Sequence, residues 1–468
     1  MLIMRYYSLN IFLLLNIILS NPFDGLTLIT ATTDRNGATT ILIDNDENIV
    51  NSWDHDYGVS SISYLTKDSI LFTPRKIPGN NNGPNGGLFQ KIDWNGNIIW
   101  EWSIPTEICS PHHDIAILPN GNILAICSET KTQEQAQLAG IEDINGPMTL
   151  DMIIEVQPLE NNQAEVVWEW RFWDHLIQDI GPQYTIPYGN ISEHPELLDI
   201  NVTGSGNNQG IKDWNHSNKI SYNAQFDQIV ISCRHMNEIF IIDHSTTTEE
   251  ASEHSGGLQD KGGDILYRWG NPQNYDRGTP ADQVFNAQHG IDWIPDGYPG
   301  EGNFLLFNNR NQINPDRSAI IEFESIADEN GFYTIEDGQP FGPIDFIWIY
   351  QSDFFSNIQS GAYRLPNGNT LITVTNQDRV FEVSYSGNIE WEYSQNIRCA
   401  RALKYSYDYF NNNLNGDMNA DNLLNVLDIV IIVQMILGNQ VIDLIGDMNF
   451  DGGLNIQDII LLLNIITD

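Results

Sequence analysis

Basic residues are scarce in this chain: 21 Lys and Arg stand against 62 Asp and Glu in 468 residues, a formal charge of -41. So acidic a surface repels phosphate backbones and anionic lipid, which excludes nucleic acid as a partner. Cysteine is nearly absent as well, with Cys109, Cys127, Cys233 and Cys399 and no C-x-x-C pair. Four cysteines in so long a chain cannot form a disulfide scaffold. They fit either buried small apolar side chains or one disulfide of an oxidising compartment. No segment after residue 20 is long and apolar enough to span a bilayer, although 454–466 is strongly apolar. Residues 1–20 combine Arg5, an apolar run over 11–19 and the polar pair Ser20-Asn21. That pattern predicts a signal peptide and an exported protein, whether periplasmic, secreted or attached to the cell surface. Long helical periodicity is missing before residue 410, so an α-rich fold is excluded there.

What the chain has instead is a repeat. Apolar residues make up 41%, enough for a globular core. Short alternating runs recur between Gly, Asn and Asp turns, the pattern of an all-β fold. Two phrases mark the repeat: Trp100-Glu101-Trp102 leads to Leu118-Pro119-Asn120-Gly121-Asn122, and Leu365-Pro366-Asn367-Gly368-Asn369 leads to Trp391-Glu392-Tyr393. Laid side by side, the runs give four-stranded units. The first holds 59–62, 69–72, 88–93 and 97–102; the others start at His113, His216, His289 and Ser360. Runs at 25–30, 39–44 and 48–53 match the last three strands of a unit, and 398–403 supplies the missing first one. The two ends therefore predict a sixth blade stitched from both termini, and a six-bladed β-propeller over 25–406. A linker is expected at 407–414.

Radial repetition aims equivalent positions at one axis. Counting back five residues from each turn leucine or its counterpart gives Ser60, His113, His216, His289, Ser360 and Arg398. Three imidazoles at six equivalent places, in a chain with only 10 His, make this rim the candidate site. The recurring tryptophans Trp100, Trp168, Trp269, Trp348 and Trp391 fall on outer strands, where packing between blades is their expected role. After the second strand of the third unit comes Ser232-Cys233-Arg234-His235, and in the fourth Asn308-Asn309-Arg310. Arg234, His235 and Arg310 should flank the same end of the channel as His216 and His289. Guanidinium forks beside imidazoles suit a tetrahedral oxyanion such as sulfate or phosphate, and neutral His can act as nucleophile or proton donor. Three His could also bind zinc, although no H-x-H or H-E-x-x-H element is present.

Asp213-Trp214-Asn215-His216-Ser217-Asn218, Ser232-Cys233-Arg234-His235, Gln288-His289-Gly290 and Asn309-Arg310, in that order among L-P-N-G-N turns, resemble the bacterial arylsulfotransferases. The resemblance covers about residues 25–405. It implies an exported six-bladed propeller that moves sulfate from an aryl sulfate ester to a phenol without a nucleotide sulfate donor. It also implies that His216 and His289 are active-site imidazoles and that Arg310 binds sulfate. In that family a further His on the last full unit becomes sulfated. Here 369–381 contains no His, and Arg379 is the residue placed there by position. The open alternatives are another imidazole as nucleophile (His216, His289, His113 or His235), a sulfate-ester hydrolase, and a non-catalytic propeller that binds sulfated or phenolic ligands or a protein.

Composition changes after Tyr409. Asp417, Asn419, Asp421, Asn425 and Asp428 recur thirty residues later as Asp447, Asn449, Asp451, Asn455 and Asp458. Oxygen ligands at positions one, three, five, nine and twelve have the spacing of an EF-hand-type calcium loop, with Asp in place of Glu at twelve. Each loop runs into an apolar helix, at 429–437 and 459–466. The duplicated unit over 415–468 resembles a type I dockerin, which implies calcium binding and a cohesin-like protein partner. Positions ten and eleven are Val426-Leu427 and Ile456-Gln457.

Overall fold

The computed structural model describes residues 21–31, 38–77, 85–202, 213–311, 316–395, 398–410, 416–419, 424–438, 444–449 and 453–467. The expected signal peptide at 1–20 and the second half of the expected linker, 411–414, lie outside these residues. Six four-stranded antiparallel sheets form the blades of a propeller. The first blade comprises Tyr64–Leu65, Leu71–Lys76, Gly87–Ile92 and Ile98–Ser103; the second Ser110–Ile117, Ile123–Lys131, Met148–Leu159 and Gln163–Arg171. The third holds Ser217–Asn223, Gln228–Cys233, Glu238–Asp243 and Tyr267–Trp269, and the fourth His289–Trp293, Phe304–Asn308, Ala319–Phe323 and Trp348–Tyr350. Gly361–Arg364, Thr370–Val374, Arg379–Val383 and Ile389–Tyr393 make the fifth. In the sixth, Cys399–Ser406 pairs antiparallel with Gly25–Ala31, followed by Ala38–Ile43 and Ile49–His55. The split blade read from the two termini is therefore observed. One strand differs from expectation: the inner strand of the first blade is Tyr64–Leu65, and Val59 makes only an isolated bridge to Arg75.

The repeated phrases acquire physical causes here. Each L-P-N-G turn is closed by paired backbone bonds, Leu118 N to Asn122 O at 2.9 Å and Leu365 N to Asn369 O at 2.8 Å. Gly121 and Gly368 sit at φ of +84° and +87°, a region that disfavours a Cβ. The final Asn of the turn donates to a Glu on the third strand: Asn122 to Glu155 at 2.5 Å, Asn303 to Glu322 at 3.0 Å and Asn369 to Glu382 at 2.6 Å. Each Glu in turn holds a cation from the following blade, His244, Arg364 or Lys404. The outer-strand indoles clamp neighbouring blades as expected. Trp100 Nε1 donates to Leu159 O at 3.0 Å, Trp348 Nε1 to Tyr385 O at 2.9 Å, and Trp391 Nε1 to Asn45 O at 2.9 Å.

The inner strands send one polar side chain each to the axis: Tyr64, Asp114, Lys219, Asp292, Tyr363 and Arg401. Asp114 lies 2.7 Å from the Arg401 guanidinium and 3.3 Å from Lys219 Nζ, and it accepts from Tyr64 Oη at 2.8 Å. Buried charges persist only when paired, and loss of one partner from such a knot costs about 3–5 kcal/mol. Most of this ring borders a cavity of about 940 Å³ beside Leu118, Pro119 and Gly121, at the end of the inner strands remote from His113. The insertion at 246–263 is pinned by Asp264, which takes His175 at 2.9 Å and His254 at 2.7 Å. Cys109 and Cys127 form a disulfide, while Cys233 and Cys399 are free and buried, so both readings of the cysteines apply. No helix among the described residues is long and apolar enough to cross a membrane.

After residue 410 the described elements are the helices Val426–Ile436 and Ile456–Thr467, which contact each other, and a 3-10 turn at Leu444–Gly446; Ile432 and Leu462 are fully buried. Asp428 accepts from Met418 N at 2.8 Å and Asn425 N at 2.8 Å, and Asp458 repeats this with Met448 N at 2.9 Å and Asn455 N at 2.8 Å. Asp421 and Asp451 lie outside the described residues.

His244 bridges Glu155 at 3.0 Å and Asp227 at 2.6 Å. Burial opposes its charge, but the two carboxylates raise its pKa to about 9. Its stabilising contribution is complete below about pH 6.5 and is lost as pH rises through 9. Urea melts between pH 6.5 and 9.5 should show a fall of about 3 kcal/mol that His244→Gln abolishes. Equal slopes for the two proteins would exclude this linkage.

Candidate active site

The rim expected from the repeat exists, and the backbone marks it. His113, His216 and Ser360 lie at φ of +59°, +51° and +77°, while Ala287 at +56° and Gly290 at +69° bracket His289. A non-glycine residue in this region costs about 1–2 kcal/mol, so the fold holds the inner-strand starts in a strained turn that aims their side chains. His113 and His216 meet edge to face with ring centroids 4.7 Å apart, and His216 and His235 are also 4.7 Å apart. His289 lies within electrostatic range of His113, His216 and Arg234.

Each ring is oriented by a second group. His216 Nδ1 is 2.6 Å from Asp213 Oδ2, and His235 Nδ1 is 2.6 Å from the Asp213 carbonyl. His289 Nδ1 lies 2.7 Å from Asn309 Oδ1 and 3.0 Å from Ala287 O. His112, which the count-back passed over, bridges Asp151 at 3.0 Å and His113 Nδ1 at 2.7 Å. Burial, reinforced by His216, His112 and His289, holds the His113 pKa well below the usual imidazole value. For His289, burial and then Arg234 act in the same direction, and burial with His216 lowers His235. Burial also opposes charge on His112, but Asp151 overrides it and the pKa is raised. The mouth thus sets the imidazoles of His113, His235 and His289, all held below their ordinary pKa, beside two His–Asp pairs, His112–Asp151 and His216–Asp213.

Arg234 and Arg310 complete the group. Burial lowers the Arg234 pKa; the Asp213 carboxylate opposes this, and the positive charge of Arg310 adds to it. Among the described residues neither arginine forms a salt bridge with a carboxylate; Arg234 Nη1 faces His235 Nε2 at 3.3 Å and Arg310 lies over the Phe355 ring at 5.8 Å. In a chain of charge -41, two guanidinium groups with no salt bridge among the described residues are chemically suited to receive an anion. Asp213, His216 and His235 place ligand atoms within 4.8 Å of one another, a donor set that could hold a divalent ion. Both Nδ1 atoms are already engaged by Asp213 itself.

Three expected positions change. Arg398 is exposed just before the closing strand, and Arg401, three residues on, is the buried arginine at the axis. Ser60 is buried ahead of the first inner strand, with its N–H on Pro74 O at 2.9 Å. Arg379 begins the third strand of the fifth blade, where Glu392 grips it at 2.9 and 2.8 Å. It therefore does not occupy the place of a missing nucleophile. The residue after the second strand of that blade, where the third and fourth blades carry arginines, is in the segment Thr375–Gln377, whose Asn376 bonds Ser356. Asp151, His112 and Asn309 are the functional candidates that sequence reasoning missed as site residues. His112 was signalled only by its adjacency to His113.

The fold and this mouth define a six-bladed β-propeller with a His/Arg cluster at one end of its channel. The family model described as "Arylsulfotransferase (ASST)" matches residues 19–396, and the chain belongs to that family. Membership implies a sulfotransferase-type enzyme. No curated protein matches significantly. Similar solved structures include a protein of unknown function from Bacteroides caccae, 11% identical over 81% of this chain and 98% of that one, TM-score 0.42. Another is the β-propeller domain of Myceliophteria thermophila Cps50, 9% identical over 80% and 86%, TM-score 0.39. Virginiamycin B lyase from Staphylococcus aureus is 12% identical over 80% and 85%, TM-score 0.33. No functional conclusion rests on likenesses of this size.

If the paired arginines form an anion site, sulfate or 4-nitrophenyl sulfate should raise the melting temperature of the wild-type protein. The Arg234→Gln/Arg310→Gln variant should show no such rise by thermal-shift assay, and an undiminished rise would place the anion elsewhere.

Proposed function

We propose that the protein is an exported aryl sulfate sulfotransferase that passes the sulfuryl group from an aryl sulfate ester to a phenol through a sulfated imidazole. The observation that carries this reading is the pair of arginines that form no salt bridge among the described residues, beside buried imidazoles held below their ordinary pKa. Arg310 and Arg234 stabilise the sulfuryl oxygens as charge shifts toward the departing oxygen. His216, backed by Asp213 in the way a carboxylate backs a catalytic imidazole, protonates the leaving phenolate and later takes the acceptor's proton. His113 and His235 line the same cluster and set its electrostatics. Transfer of this kind needs no nucleotide sulfate donor.

The absence of an imidazole after the second strand of the fifth blade favours one competing reading, a propeller that binds aryl sulfates without turning them over. A chromogenic aryl sulfate and a phenol acceptor separate the two. Acceptor-dependent phenol release should fall by at least about 10³-fold in a His216→Ala/His289→Ala variant. Release equal in the variant and the wild type, or none in either, would leave only binding. Release indifferent to added phenol would point to sulfate-ester hydrolysis.

For the C-terminal unit the reading is a calcium-dependent tether to a cohesin-like partner. Asp417, Asp428, Asp447 and Asp458 are buried, yet no Lys, Arg or His follows Lys404. Buried carboxylates need a counter-charge, and an oxygen-rich loop suits calcium. Asp417, Asn419, Asp421, Asn425 and Asp428, with Asp447, Asn449, Asp451, Asn455 and Asp458, would hold the two ions. Val426, Leu427 and Ile456 are exposed, as partner-facing residues must be. Calcium should protect the C-terminal unit of the full chain from limited proteolysis and EDTA should reverse this. Identical digestion in both conditions would refute the assignment.

A further inference from the structure

We propose that Nε2 of His289 is the atom that carries the sulfuryl group, so that the nucleophile of this chain stands on the fourth blade; the assignment rests on the sulfotransferase reading above. A nucleophilic imidazole must present a lone pair, and hydrogen bonding at the other nitrogen decides where that lone pair is. Both partners of His289 Nδ1, Asn309 Oδ1 at 2.7 Å and Ala287 O at 3.0 Å, are acceptors. The proton therefore sits on Nδ1 and the lone pair on Nε2. Asn309 cannot reverse this by flipping its amide, because its Nδ2 donates to Ser356 O at 2.9 Å and Gln359 O at 3.1 Å. Among the described residues Nε2 of His289 has no hydrogen-bond partner.

The other rings lack this combination. His235 turns its Nε2 toward the Arg234 guanidinium at 3.3 Å, which covers the lone pair. His113 shares a proton at Nδ1 with His112, so its tautomer follows the protonation of the His112–Asp151 pair. His216 is bound to a carboxylate, which favours a ring that accepts and returns protons. Burial and Arg234 keep His289 unprotonated, and in a loose transfer of the phosphoryl type the basicity of the attacking atom matters little.

In the first step the Nε2 lone pair attacks sulfur. The N–S bond forms as the bond from sulfur to the aryl oxygen breaks, and the departing oxygen keeps the electron pair and receives a proton from His216. The ring is left as an N-sulfoimidazolium that retains its Nδ1 proton. In the second step the acceptor phenol gives its proton to His216, its oxygen attacks sulfur, and the N–S pair returns to Nε2. Asn309 is thus a positioning residue, because it fixes which nitrogen attacks.

Brief exposure of the full chain to 4-nitrophenyl sulfate without acceptor, quenched in alkali and mapped by mass spectrometry, should place a sulfuryl adduct on the peptide containing His289. Adding phenol should remove it. His289→Gln should lose the adduct and at least about 10³-fold in kcat/KM while keeping the sulfate-induced melting shift, which shows that it is folded. Asn309→Leu should slow adduct formation by about 10–100-fold with the donor KM little changed, since it disturbs the attacking nitrogen and not the anion site. An adduct on His113, His216 or His235 with phenol transfer intact overturns the assignment and leaves the sulfotransferase reading standing. No phenol release by the wild-type protein overturns both.

Discussion

The antiparallel pairing of Gly25–Ala31 with Cys399–Ser406 is the constraint on which the remainder of the structure depends. Six blades joined in series have two open edges, and an open edge leaves a row of unpaired amides and carbonyls. Pairing strands from the two ends of the propeller removes both at once. It also delivers Arg401 to the axis, where it meets Asp114 from the second blade. The closing strand thus supplies a backbone ladder to its neighbour and a charge to the centre. Lys404 on the same strand reaches Glu382 of the fifth blade at 2.8 Å, so closure is felt on both sides of the joint.

From closure follows the division of the channel. The axial knot of Asp114, Lys219 and Arg401 fills the ring's interior with paired charge and is contiguous in sequence with the imidazole mouth, since His113 precedes Asp114. Arg401 is one of the groups that disfavour a proton on His113. The arginine that closes the ring therefore also helps to keep His113 unprotonated. The axial cations are engaged in ion pairs, while Arg234 and Arg310 form no salt bridge among the described residues.

The legible part of the site was the part tied to the repeat. His113, His216 and His289 share one place because they occupy equivalent positions near the start of successive inner strands, and Arg234 and Arg310 follow equivalent second strands. Count-back failed at Ser60 and Arg398, and the position given to Arg379 by the resemblance failed as well, since that residue begins the third strand of its blade. The bulged register between Ile29 and Ala31, against the closing strand, is the sort of local irregularity that a linear count cannot register. His112 escaped notice because adjacency along an ideal strand points side chains to opposite faces, whereas the pairing of this strand is interrupted between Pro111 and Ile115.

The sequence by itself determined the all-β class, the number of blades, the split sixth blade and the turns, because all of these rest on local periodicity and on the φ preferences of Gly and Asn. Only the tertiary structure decided which polar groups meet. Asp151 lies 39 residues from the His112 it orients, and Asn309 lies 20 residues from His289. Hydrogen-bond partners, and with them the proton positions that make one imidazole a nucleophile and another a base, are set by strand register and blade packing. No spacing in the chain encodes them, since they exist only once the ring has closed.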